Sequence, residues 1–592
     1  MRVVTGLLGR WLGLAALWIP VGVSVGLWVA NADRGLQMTD EASYLLIAQD
    51  PWKMGGHTSF YGFLLHPLWL LSGQQVGTFR LVGFLILAVA AVFLGQSVRL
   101  LQGTPSGDFF LRHGLWPLLL AGVFAYYADG IRTPNYNWVA LVGSMVWASG
   151  LLRALAPRGR GRAWLWGSLG WAILLVGKWP AAVALGGLWL IALPFVPRDR
   201  RRLMIRFGSI SLAGGLALTG FGLAGYAGPA GIWNSIEPGW VMAREIGSHD
   251  ARLFLKYAID FLNFLYRIGR AAIWLIPPLL LAAWILRRTE RDEEKRYRIL
   301  VTAAFGAAFG LALWRGHGQG GALHWNKESL MAGLWLSGVI FLGRSWLRTE
   351  GRPDWGWILV LIGLPLALGA GTNTSLADYA GHAVVFWSLA GWWILAEGDL
   401  AKKMGSVGLV FALACLVWIQ SARQVTALQA QWKVGPLERE SETLRFGPEA
   451  GRLRVNAQLN QDLEKLSGVL VSLGFQTGDG VVAISEVPGL VYLLGARSIG
   501  VPWYQGWQED VRIRSARAIL AIVDPAELTG AWLIFAEPAD QVPATPEQIW
   551  PASLVSAQPV FSSYTLFVGR EFSDANKPPM RLRIFYPARH RP

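Results

Sequence analysis

The chain has 592 residues, of which 53% are hydrophobic and 15% charged, against roughly 25% charged in an ordinary soluble domain. That deficit argues against a soluble enzyme, and the composition excludes disorder, collagen and, with Cys415 as its single cysteine, a disulfide scaffold. A formal charge of +15 would suggest nucleic acid in a soluble chain, so the basic residues must be located before they are interpreted.

The first apolar run, 8–30, is longer than a signal-peptide core and lacks a small-x-small cleavage site, so it reads as a retained helix. Further runs of spanning length cover 77–98, 113–128, 137–155, 163–177, 179–196, 207–229, 268–286, 299–315, 329–347, 356–370, 379–396 and 404–420. That makes about thirteen spans. The two runs that meet at Lys178 and Pro180 are short and could instead be one broken helix.

Arg and Lys set the orientation. With the amino terminus inside, the inner loops hold Arg158, Arg160 and Arg162, the run Arg198 to Arg202, the segment Arg287 to Arg298, and smaller clusters at Arg344 to Arg352 and Lys402-Lys403. About two dozen cations then lie inside against about ten outside, as the positive-inside rule expects. Nucleic acid is thereby set aside as a partner. An odd number of spans places everything after Gln420 on the outer face.

That tail changes character. Its apolar runs shorten to strand length at Gly480 to Ile484 and Ala531 to Ala536, interleaved with a helical stretch from Asn456 to Leu473 and with Pro/Gly turns. The expected fold is a polytopic α-helical membrane protein with a C-terminal soluble α/β domain. Residues 1–420 form the membrane domain, including an outer loop at 31–76, and 421–592 the extracytoplasmic domain. The expected location is the inner (cytoplasmic) membrane. The first outer loop holds two helix-like amphipathic pieces, Asp40 to Gln49 behind Thr39 as N-cap and Ser59 to Leu71. A second long loop, Gly231 to Tyr266, suits a helix lying in the interface.

The candidates for chemistry sit on the outer side. Asp40 and Glu41 open the first amphipathic helix; a helix-dipole contact explains them as well as catalysis does. The short loop from Tyr126 to Asn137 carries Asp129, Arg132, Asn135, Tyr136 and Asn137. Asp129 could serve beside Asp40 as a second acid, or simply pair with Arg132. Lys178 interrupts an apolar stretch, where a cation needs a partner such as phosphate or must snorkel past Trp179. His324 and Lys327 could contact a sugar or phosphate. The glycine-rich stretch Gly316 to Gly321 does not open an α/β unit, so it is no nucleotide loop. His57 and His66 lack metal-ligand spacing, and Asn373-Thr374-Ser375 reads as a polar turn.

Three segments resemble a known family: Asp40-Glu41-Ala42-Ser43-Tyr44-Leu45-Leu46-Ile47-Ala48, Arg132-Thr133-Pro134-Asn135-Tyr136-Asn137-Trp138, and Gly177-Lys178-Trp179-Pro180. With Gly371-Thr372-Asn373 and Pro488 to Gly495, they look like the GT-C superfamily of membrane glycosyltransferases, in its aminoarabinose-transferase and protein-mannosyltransferase branch. The resemblance implies transfer of a sugar from a polyprenyl-phosphate donor to a lipid, glycan or protein acceptor, among membrane lipids at the outer face. It makes Asp40 the general base, Glu41 a support for acceptor or metal, and Asp129 a second catalytic acid. Tyr44, Arg132, Asn135, Tyr136, Asn137, Lys178, His324 and Lys327 then bind substrate, with Lys178 on the donor phosphate. Some branches use a divalent ion, Mg or Mn, which Asp40 and Glu41 could hold; no other cofactor is implied. The chain departs from the pattern at Asp129, which precedes Arg132 instead of following an Arg directly, so Asn135 or Asn137 could share its work.

Two other classes compete. A transporter or flippase of lipid-linked substrates would show mid-membrane ionisable residues and an internal repeat, neither of which is evident. A non-catalytic membrane scaffold would use the outer domain to recruit a partner.

Overall fold

The computed structural model describes residues 2–53, 59–102, 109–129, 131–156, 160–246, 255–266, 355–372, 379–397, 399–429, 437–484, 487–504, 509–538, 549, 558–559 and 580–586. The predicted spans 268–286, 299–315 and 329–347 lie outside these residues, as do His324, Lys327, the Gly316 to Gly321 stretch, His57 and Asn373.

The described amino-terminal half is helical. Helix α1 (Arg2–Ala30) leads through two loop helices, α2 (Asp40–Gln49) and α3 (Tyr61–Leu71), into α4 (Val76–Gln102) and α5 (Phe109–Phe124), which a 3-10 turn extends through Ala125–Asp129. Then follow α6 (Tyr136–Leu155), α7 (Ala163–Ala192), α8 (Arg198–Tyr226) and α9 (Gly228–Ile246). Of these, α1, α4, α5 with its extension, α6 and α8 are long and apolar enough to cross a membrane, as is α7 when counted over its whole length with its extension, Ala163–Phe195. Their outer faces carry large apolar side chains in the open, such as Trp11, Leu85, Val183 and Phe221 at 82% exposure. A continuous apolar exterior of this kind is stable against lipid and not against water.

The break at Lys178 is a reversal. Lys178 has extended backbone angles (φ −156°, ψ 76°) inside α7. The Trp171 ring lies 3.6 Å from where a Cβ on Gly186 would stand, although residues so spaced on a continuous helix would be about 22 Å apart along its axis. Adjacent residues of α8 touch both arms, Phe207 packing on Gly167 and Gly208 on Trp189. The chain therefore runs up from Ala163, turns at Lys178 and returns, which separates 163–177 from 179–196. Pro180 dictates the turn, because it has no N–H to bond the carbonyl of Val176 and its ring would clash there. That carbonyl instead accepts the backbone N–H of Phe60 at 2.9 Å.

Further along, α10 (Trp355–Leu368) packs on the returning arm of α7, and α11 (Val384–Glu397) and α12 (Asp399–Gln429) follow. Helix α12 runs alongside α1, with the Trp418 indole donating to the Ala16 carbonyl at 3.0 Å.

Residues beyond 437 mix strands and helices. A two-residue ribbon pairs β1 (Glu442–Thr443) antiparallel with β2 (Arg454–Val455), and Asn456 caps α13 (Ala457–Ser472) by accepting from the Leu459 N–H at 2.8 Å. A five-stranded sheet has the order β4-β3-β5-β7-β6, built from β3 (Gly480–Ile484), β4 (Arg497–Ser498), β5 (Trp532–Pro538), β6 (Gln558–Pro559) and β7 (Met580–Tyr586). Strand β3 is parallel to β4 and β5, with Val481 opposite Trp532, while β7 is antiparallel to both β5 and β6. The helices α14 (Pro488–Leu493), α15 (Glu509–Leu520) and α16 (Pro525–Thr529) connect them. The inner strand residues Val482 and Ile484 are fully buried, as a sheet covered on both faces requires.

This unit grips the first loop. Arg454 donates its N–H to the Asp33 carbonyl at 2.8 Å, accepts from the Gly35 N–H at 2.7 Å and pairs with the Asp33 carboxylate at 3.1 Å. Consequently α2 is not the amphipathic surface helix its sequence suggests. Glu41 through Ala48 are all buried, because α3 covers one side of it and α14 another.

Candidate active site

The N-terminus of α2 is fixed by reciprocal capping. The Gln37 N–H donates to Glu41 Oε2 at 3.0 Å, and the Glu41 N–H donates to Gln37 Oε1 at 3.1 Å. Thr39 occupies the N-cap position without a side-chain cap bond. Arg80, from the first turns of α4, completes the arrangement: its Nε donates to Glu41 Oε1 at 3.0 Å and an Nη to Oε2 at 2.8 Å. Both side chains are fully buried. The remaining Arg80 donors go to the carbonyls of Ala32, Arg34 and Gly35.

Arg132 serves the same loop. It donates to the Asn31 carbonyl at 2.6 Å, to that of Arg34 and to that of Gly35 at 3.2 Å. Two guanidiniums thus bond the carbonyls of the loop that follows α1, from Asn31 to Gly35. These Arg132 bonds all go to backbone carbonyls. Asn135 is the N-cap of α6, its Oδ1 accepting from the N–H groups of Asn137 and Trp138 and from the Tyr126 hydroxyl.

Lys178 lies at the tip of the α7 reversal and is 2% exposed. A buried ammonium is costly unless its donors are satisfied. Its Nζ donates to Asn137 Oδ1 at 2.9 Å and to the Leu368 carbonyl at 2.6 Å, and it faces the rings of Tyr379 at 4.7 Å and Tyr136 at 5.3 Å. The two phenols meet, hydroxyl to hydroxyl, at 3.0 Å. Tyr136 also meets Tyr44 edge-on at 5.8 Å and Tyr61 at 5.9 Å, so four tyrosines form one contiguous aromatic wall.

Asp40 belongs to that wall. Burial pushes the Tyr44 phenol well above its ordinary range, and the neighbouring Tyr136 and the Asp40 charge push it further. Burial likewise raises Tyr61, and Asp40 adds to it. Both phenols stay protonated and able to donate at neutral pH. Asp40 is partly exposed, as are Tyr136, Asn137 and Tyr379, while Lys178 lies beneath them. The structure therefore brings together Asp40, Tyr44, Tyr136, Asn137 and Lys178. It leaves Glu41, Arg132 and Asn135 in the supporting framework, and Asp129 ends the turn that follows α5.

Sequence reasoning missed Tyr61, Tyr379 and Arg80. Arg80 carried a readable signal, a cation inside an apolar spanning run. The two tyrosines carried none, since only tertiary contact gathers them. The Glu41 carboxylate is held by Arg80. Among the described residues no group of three or more His, Cys, Asp or Glu side chains could hold a metal.

No protein-family model and no curated protein matches the chain. Among solved structures it is similar to ArnT from Cupriavidus metallidurans, whose crystal structure was determined bound to undecaprenyl phosphate. The identity is 12% and the TM-score 0.37, over 96% of this chain and 97% of that one.

Proposed function

We propose that this chain is a membrane glycosyltransferase that takes its sugar from a polyprenyl-phosphate donor at the outer face of the cytoplasmic membrane. One observation carries the reading: a partly exposed carboxylate, Asp40, and a buried cation, Lys178, share one tyrosine-walled site between helices of spanning length. The motif resemblance in the sequence points the same way. In this reading Asp40 accepts the proton of the acceptor hydroxyl or amine as that atom attacks the anomeric carbon. The bond from that carbon to the phosphate oxygen breaks, and the phosphate leaves with its electron pair toward Lys178. Two of the three Lys178 N–H donors are spent on Asn137 and Leu368, so one remains for a phosphate oxygen. The tyrosine rings offer faces on which a sugar can stack. Glu41 acts in this scheme by holding α2, and Asp129 remains a candidate second acid. In this reading the basic loops keep the amino terminus inside, and an odd number of spans then puts the carboxy-terminal unit outside.

The acceptor is identified by mass analysis of envelope glycans, lipids and glycoproteins from cells with and without the chain. Asp40→Asn should remove the product by about 10²-fold or more, the share a general base supplies, with protein level unchanged. Product at the wild-type level in that variant overturns the assignment.

A further inference from the structure

The helix that carries Asp40 packs against α14 of the carboxy-terminal unit, with a close approach at Gly489. The Gly489 N–H, at the start of α14, donates to the Met38 carbonyl at 2.7 Å, two residues before Asp40. A Cβ at Gly489 would stand 2.6 Å from Met38 Sδ and 2.7 Å from Met38 Cα, so only glycine permits the contact. Behind it α14 is buried throughout, from Pro488 to Leu493. The far end of the same loop is held by the same unit: the Tyr492 hydroxyl donates to Glu449 at 2.6 Å, and Glu449 accepts the N–H of Val76, where α4 begins, at 3.1 Å. Arg454 holds the near end through Asp33 and Gly35. The loop bearing Asp40 is thus anchored at 33–38 and at 76 by residues of the carboxy-terminal unit.

We infer that α14 sets the position of Asp40, with Gly489 as a positioning residue, so that the carboxy-terminal unit is a working part of the transfer site. The inference rests on the glycosyltransferase reading above. Misplacing a catalytic group by about 1 Å costs about 10²-fold in rate, and a methyl at Gly489 must push Met38, and with it the first turn of α2, by a comparable distance.

The test compares wild type, Gly489→Ala, Gly489→Ala with Met38→Ala, and Asp40→Asn, all as full-length chain. Gly489→Ala should lower product at least tenfold while undecaprenyl phosphate, used as the binding probe, binds within twofold of wild type. Hydrogen exchange of the α2 amides should quicken in that variant, with the α5 amides unchanged. Trimming Met38 removes the Sδ and Cε contacts and should restore part of the product. Wild-type product, unchanged α2 exchange, or a loss of undecaprenyl phosphate binding equal to the loss of product each overturn the inference. The panel separates the two ideas: no sugar transfer by the wild type defeats the transferase reading, and product retained in Asp40→Asn defeats the base role of Asp40, whereas product lost in Asp40→Asn and kept in Gly489→Ala defeats only the positioning role.

Discussion

The Glu41 carboxylate, a candidate for chemistry in the sequence, is bound by Arg80. Consecutive helix residues point about 100° apart, and the structure turns Glu41 inward onto Arg80. The pair is fully buried and bidentate. Removing one partner of such a pair leaves an uncompensated charge, at a cost of about 3–5 kcal/mol, whereas replacing both is far milder. Arg80→Met should therefore lower the thermal midpoint of the purified chain sharply, and adding Glu41→Gln should recover much of the loss. Equal midpoints for the single and double variants would contradict the pairing. Arg132, read from the sequence as a substrate contact, donates through its two Nη atoms to carbonyls of the loop after α1.

Among the elements, spans were the most legible feature and helix packing the least. Apolar runs mark α1, α4, α5 and α6 within a few residues, since hydropathy depends on composition alone. Helix α8 begins at Arg198, ahead of the predicted 207, because its basic first turns lower hydropathy while Arg remains a good helix former. The reversal at Lys178 was readable as a break, through Pro180, but its sharpness depends on contacts that only the fold supplies. Those contacts rest on glycines. A Cβ on Gly170 would fall 2.6 Å from Trp147 Cβ and 2.7 Å from its Cα, so α6 and α7 touch backbone to backbone there. Gly170→Leu should cost about 1–3 kcal/mol by overpacking, visible as a lower thermal midpoint. Gly187, in the returning arm with nothing within 4 Å of its added Cβ, should accept Ala with unchanged or slightly raised stability. An indifferent Gly170→Leu would mean that the two helices are not packed this closely.

At the scale of the molecule, β3, β5 and helix α13 were legible because strand-length apolar runs and helical stretches are local features, whereas the shorter strands and β7 were not singled out. The docking of the carboxy-terminal unit was not legible, since it depends on single polar atoms such as the Glu449 carboxylate. Glu449 lies at that junction, bonded to Tyr492 and Val76. Burial raises its carboxyl above the ordinary glutamate value, although the bonds from Tyr492 and Val76 and the charges of Arg80 and Arg452 pull it back in part. An acid whose folded value is raised favours the folded state most below its unfolded value, and that contribution is lost as pH rises through the folded one. The docked state should accordingly weaken as pH climbs from about the unfolded glutamate value of 4.5 toward neutrality. Glu449→Gln keeps an acceptor for the Val76 N–H and removes the charge, so thermal midpoints measured from pH 4.5 to 7.5 should fall less steeply in the variant than in wild type. Because the carboxylate is buried against the entry to α4, the difference should appear equally in hydrogen exchange at Val76 to Phe79, where wild type alone becomes more labile with rising pH. Parallel curves for the two proteins would show that Glu449 does not titrate at the junction.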